Sequence, residues 1–86
     1  GLFNSKEFLE LKINIEKSKF DFTEFKTIFF FSSSRWDILT IDDILIKLPQ
    51  SNVLESLDMA YKIKASREFI NKNIIDLRIK NNLIVK

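Results

Sequence analysis

The sequence predicts an all-α domain, a small helical bundle. Two observations carry that expectation. Four segments open with a short polar residue able to cap free helix N–H groups, followed three positions later by an acid suited to the positive helix end: Asn4 with Glu7, Asp21 with Glu24, Thr40 with Asp43, and Asn52 with Glu55. Apolar residues also recur at helical spacing in the second half of the chain: Ile41, Ile44, Leu45 and Leu48, then Leu54, Leu57 and Tyr61, then Ile70, Ile74 and Leu77.

The first segment, opened by Asn4, has Phe3 before the cap and Phe8 beyond it as a hydrophobic staple. Here Leu9, Leu11, Ile13 and Ile15 alternate with polar residues, which is strand period, so helix is favoured on the cap alone and short strand content near residues 9–22 stays open. Phe20 and Phe25 form the staple of the second segment. Its Phe29, Phe30 and Phe31 cannot share one helix face, so that helix is either buried on two sides or partly covered by something missing. In the third segment Leu39 and Ile44 make the staple, and Pro49 stops the helix by removing a backbone donor. A fourth helix runs to about Ala65 and a last one from Ser66 to about Lys80, ended by Asn81 and Asn82, residues that tolerate left-handed conformations.

Composition fits a folded chain, with 45% apolar and 30% charged residues among 86. One domain over 1–86 is expected. Gly1 in place of Met points to an excised C-terminal fragment of a larger protein or a processed chain, and no signal peptide is visible. Cys and His are both absent, which removes disulfides, thiolate or imidazole metal sites and the usual general base. The sole glycine is Gly1, so no glycine-dependent phosphate loop exists. Asp42 and Asp43, the best carboxylate pair, read as first-turn residues favoured by the helix dipole rather than as an acid/base pair. The sequence therefore predicts no enzyme and no cofactor, metal or small-molecule ligand. No apolar run is long enough to span a membrane.

Charge is uneven: from Lys62 onward seven Lys/Arg face only Glu68 and Asp76, while the preceding residues are acidic on balance. On the last helix Ile75 and Ile79 fall opposite the face of Ile70, Ile74 and Leu77, leaving two alternatives: other helices of the domain cover both faces, or a partner covers Ile75 and Ile79. Lys72, Arg67 and Arg78 flank that candidate contact. Trp36, in a connection between helices, is a second candidate anchor, though a plug at the helix junction is the simpler reading. Ser32, Ser33 and Ser34 read as a polar helix end rather than as modification sites.

From Ser34 to Lys86 the chain resembles the C-terminal region of the Rab-adaptor subunits of the HOPS and CORVET vacuolar and endosomal tethering complexes, the vacuolar-sorting and TGF-beta-receptor-associated-protein-like family. The matching features are Ile41-Asp42-Asp43-Ile44-Leu45-Ile46-Lys47-Leu48-Pro49, a second amphipathic stretch, the basic residues Lys64 to Arg67, apolar residues at Ile70, Ile74, Ile75 and Leu77, and the ending Asn82-Leu83-Ile84-Val85. The resemblance implies the end of an α-solenoid that docks on a core subunit of the tethering complex, in the cytoplasm and peripheral on endosome or vacuole membranes. The family's Cys/His zinc segment is missing here and the stretch after Pro49 is about one turn short. The function expected is thus a protein–protein interaction module. The alternative is a helical or winged-helix nucleic-acid-binding domain using the basic C-terminal third, motivated by a sequence pI of about 9.0.

Overall fold

The computed structural model describes residues 5–31, 35–66, 69, 72–78 and 84–85. It overturns the all-α expectation: the described residues form a mixed α/β domain, two helices packed on a mixed five-stranded sheet, and neither a helical bundle nor a solenoid end. In chain order the elements are α1 (Ser5–Lys17), one 3-10 turn (Phe22–Glu24), β1 (Phe25–Phe31), β2 (Arg35–Thr40), β3 (Leu45–Lys47), α2 (Val53–Ala65), β4 (Ile74–Asp76) and β5 (Ile84–Val85). The strands lie side by side in that order.

The first segment is helix, though Asn4, its expected cap, and Phe3 of the expected staple lie outside the described residues; the alternating apolar residues bury Leu11 and Ile15 while leaving Leu9 and Ile13 in solvent. The second cap signature is real but launches only one turn. Asp21 accepts from the Thr23 N–H, and Glu24 reaches back to accept from the Asp21 N–H at 2.8 Å. Beyond it Phe25–Phe31 is strand, because consecutive rings on a pleated strand point to opposite faces and each finds its own surroundings. The Phe20 and Phe25 rings do meet, 5.3 Å apart, and Tyr61 of α2 closes on Phe20 at the same distance.

The third helix is absent, and its apparent cap makes a tight turn. Thr40 Oγ1 accepts from the Ile44 N–H at 3.0 Å and donates to Asp42, while Asp43 adopts a left-handed backbone (φ 63°) that Asp tolerates. A helix-capping side chain and a turn-closing side chain use the same chemistry, a short oxygen accepting a nearby backbone N–H. Tertiary pairing decides between them. β2 joins β3 antiparallel, with Ile38 opposite Ile46, and β3 joins β4 parallel, with Ile46 opposite Ile75. The period that matters is therefore two: Ile44, Ile46 and Leu48 are buried, whereas Ile41, counted on the supposed helix face, is 63% exposed.

A parallel pair needs a crossover, and α2 supplies it between β3 and β4. It spans the residues that the helical pattern after Asn52 predicts. Asn52 takes the cap position in a left-handed conformation without a side-chain cap bond. Leu57 and Ala60 form the buried stripe, and Tyr61 stays at the rim. The predicted last helix is corrected too: Ile74–Asp76 is the strand β4, and residues 79–80 lie outside the described ones.

One apolar layer results. Trp36, Ile38, Ile46, Leu48, Ile75 and Leu77 from the sheet pack with Leu11 and Ile15 of α1 and Leu57 and Ala60 of α2. Since Ile46 has no exposed surface and sits mid-row, Ile46→Ala should cost about 2 to 5 kcal/mol. Leu45→Ala, one residue away on the other face and only half-buried, should cost much less. Urea unfolding of both variants checks this; equal losses would contradict the register.

Candidate functional site on the sheet face opposite the helices

Strand alternation fixes what the second sheet face carries. The register aligns Phe29, Asp37, Lys47 and Asp76 in one row across β1 to β4 and Thr27, Leu39, Leu45 and Ile74 in the next, with Phe31 opposite Arg35 beyond. Neither helix covers this face, because the core layer takes both of them. Phe29 and Phe31 are 44% and 39% exposed, and Leu39, Leu45 and Ile74 are half-buried. The face is thus an apolar surface divided by a charged row.

Within that row the acids are sunk and the cations stand outward. Asp76 is ion-paired to Arg78, whose guanidinium donates to both carboxylate oxygens at 2.8 and 2.6 Å, and the Arg78 N–H adds a third bond at 3.1 Å. Those bonds hold the Asp76 carboxyl below the usual range. In this pair the Arg78 side chain keeps 34% of its surface exposed against 10% for Asp76, so the accessible charge is positive. Lys47 is half-buried.

Asp37 differs. It is 95% buried, yet its Oδ1 has no hydrogen-bond partner, and burial pushes its carboxyl above the usual 3.8 against the opposing pull of Arg35, Lys47 and Arg78. Arg35, two residues earlier on the same face, leaves its Nε buried and unpartnered and holds its guanidinium 5.1 Å from the Phe31 ring centre. An unmade bond at a buried polar group costs about 1 to 3 kcal/mol. Two complementary orphans therefore sit side by side on one strand.

The residues predicted as a partner site are scattered. Ile75 has no exposed surface and lies at the centre of the sheet, where no partner reaches it. Trp36 is the plug of the simpler reading, but within β2 rather than between helices, 4.6 Å from the Phe30 ring centre and 6.2 Å from that of Phe8. Lys72 is exposed just before β4, Arg78 joins the charged row, and Arg67 and Ile79 lie outside the described residues. Sequence reasoning missed Asp37, Lys47 and Asp76. A signal for β1 was present in the dense β-forming run Thr27 to Phe31; the row itself needs the register. A groove of about 510 Å³ on the helix side, between Glu10 and Leu11 of α1 and residues 51–55, is rimmed by Glu7, Glu10 and Glu55 and lined by Asn14, Trp36 and Asn52. Among the described residues no group of His, Cys, Asp and Glu could hold a metal, and no helix is long and apolar enough to cross a membrane.

The two aspartates should respond oppositely to substitution. The folded-state affinity of Asp37 for its proton exceeds that of the unfolded chain, so its ionisation lowers stability as pH rises above about 3.8. Asp37→Asn should therefore raise the unfolding midpoint at neutral pH, and the gain should fade in acid. Asp76, held low by Arg78, contributes stability that is present above 3.8 and lost as pH falls through its folded-state value. Asp76→Asn should lower the neutral-pH midpoint. Denaturant melts of both variants across this range check the signs. No family model, curated protein or solved structure matches the chain, and its functional reading rests on this geometry.

Proposed function

We propose that this chain is a protein-binding module that docks an acidic, apolar segment of a partner protein on the sheet face of Phe29, Phe31, Leu39, Leu45 and Ile74. The observation that carries the reading is the placement of both helices on one face, which leaves large apolar side chains of the other in contact with solvent. The partner's charge follows from the row. Asp37 and Asp76 are buried, whereas Arg78 and Lys47 present cationic surface, and a complementary segment places carboxylates against them. Protein binding is retained from the sequence reading, on a different surface and without the solenoid.

A second reading has its own support. Two exposed phenylalanines two positions apart on one strand, flanked by Arg35 and Lys47, also form a platform on which unpaired bases could stack. Against it, two acids, Asp37 and Asp76, occupy the middle of the platform, where they repel a phosphate backbone.

In-cell photo-crosslinking tests the first reading. A photoreactive side chain at Phe31 should yield one discrete protein adduct, the same group at Lys12 on the exposed side of α1 should not, and Phe29→Asp should remove the adduct without unfolding the domain. With the adduct's partner purified, Phe29→Asp should weaken binding at least about tenfold, a loss of about 1.4 kcal/mol. An adduct indifferent to Phe29→Asp rejects this surface. Capture of single-stranded nucleic acid with steep salt dependence, in place of a protein, selects the second reading.

A further inference from the structure

We propose that Arg35 is a two-position latch on the docking face, stacked on Phe31 while the face is empty and swung onto Asp37 when a partner takes over the Phe31 ring. The inference rests on the docking reading above and adds its regulation. Three observations lead to it. Arg35 and Asp37 lie on the same face of β2, their Cα atoms about 7 Å apart, within reach of an arginine side chain. Arg35 Nε and Asp37 Oδ1 are both buried and both without a hydrogen-bond partner. The guanidinium is committed instead to the ring of Phe31, itself 39% exposed and therefore available to a partner.

The other groups facing Asp37 leave Arg35 as the mobile one. Phe29, opposite on β1, offers no hydrogen-bond donor. Lys47, opposite on β3, makes neither a hydrogen bond nor an ion pair with Asp37 and lies between it and Asp76 in the row. Arg78 is fixed on Asp76 by three bonds. Among the described residues the Arg35 guanidinium makes no hydrogen bond or ion pair and stacks on the Phe31 ring, and its best alternative acceptor is the unpaired oxygen two residues away.

Occupancy and ionisation are then linked. With Arg35 on the ring, burial keeps the Asp37 carboxyl raised. With Arg35 on Asp37, the new charge-assisted bond lowers it. The empty face binds more protons than the occupied one between those two values, so partner affinity should rise with pH across that window.

The latch can be tested on the free protein, independently of any partner. Carbon-detected NMR titration of the Asp37 carboxyl, in wild type and in Phe31→Ala, is the direct measurement. Removing the ring should free Arg35 and move the Asp37 midpoint down by about 1 to 3 pH units, as an opposite charge at close range does. Adding Arg35→Gln to Phe31→Ala should restore the raised value. Phe31→Leu, which removes the π face and keeps apolar bulk, should show the same downward movement if the alanine variant fails to fold. The latch is overturned if Phe31→Ala and Phe31→Leu leave the midpoint where it was. It is equally overturned if Arg35→Gln alone raises the wild-type midpoint as much as it does in the ring-deleted background, since Arg35 would then already be on Asp37. Neither outcome touches the crosslinking result, so failure of the latch is distinguishable from failure of the docking surface on which it rests.

Discussion

The fold depends on one row of side chains, Ile28, Ile38, Ile46 and Ile75, aligned by register across four strands. Three of them have no exposed surface, and no single strand could bury its member alone. The row also sets the topology. Ile46 and Ile75 meet on parallel strands, a pairing that no hairpin can make, so the connection must cross over and α2 becomes part of the sheet's construction rather than an appended helix. Once α2 lies on that face, Leu57 and Ala60 complete the layer, and α1 fills the rest with Leu11 and Ile15.

Committing both helices to one face has a cost on the other. Phe29 and Phe31 meet water there, and β1 is the long outer strand of the sheet. Its start is guarded by an irregularity between Phe25 and Thr27 and by Lys26, paired to Asp43 at 3.1 Å, two features that discourage indiscriminate strand pairing. The centre of the face carries the opposite signature, a buried carboxylate without its hydrogen bond. Where local rules are broken inside an otherwise consistent domain, function is the usual beneficiary. The charged row, rather than the helix-side groove, is where this domain breaks those rules.

Legibility varied element by element for physical reasons. α2 was readable because its residues have one strong periodicity and their interactions are largely local. α1 was readable only through its cap, since its apolar pattern fits strand equally well, and the helix form is stabilised by packing on the sheet. The Asp21–Glu24 capping box reports on one turn and says nothing of the next seven residues, which are strand. Ile41 to Leu48 satisfied the helical template while also containing the period-two set Ile44, Ile46 and Leu48. A strand separates Ile74 from Ile75 as a helix does, but it reverses the expected faces: Ile75 and Leu77 enter the core, and Ile74 lies on the other side.

By itself the sequence determined that the chain folds, that it lacks thiol and imidazole chemistry, that Asp21 and Glu24 cap a turn, and that residues 53–65 are helical. These follow from composition and from interactions reaching four residues or fewer along the chain. Tertiary structure alone decided that the middle and end of the chain are strands, since backbone groups of β2, β3 and β4 are satisfied only by partners distant in sequence. It also decided the site. Asp37, Lys47 and Asp76 are at least ten residues apart in the chain and become neighbours only through register, and a one-residue slip of any strand would send its member of the row into the core.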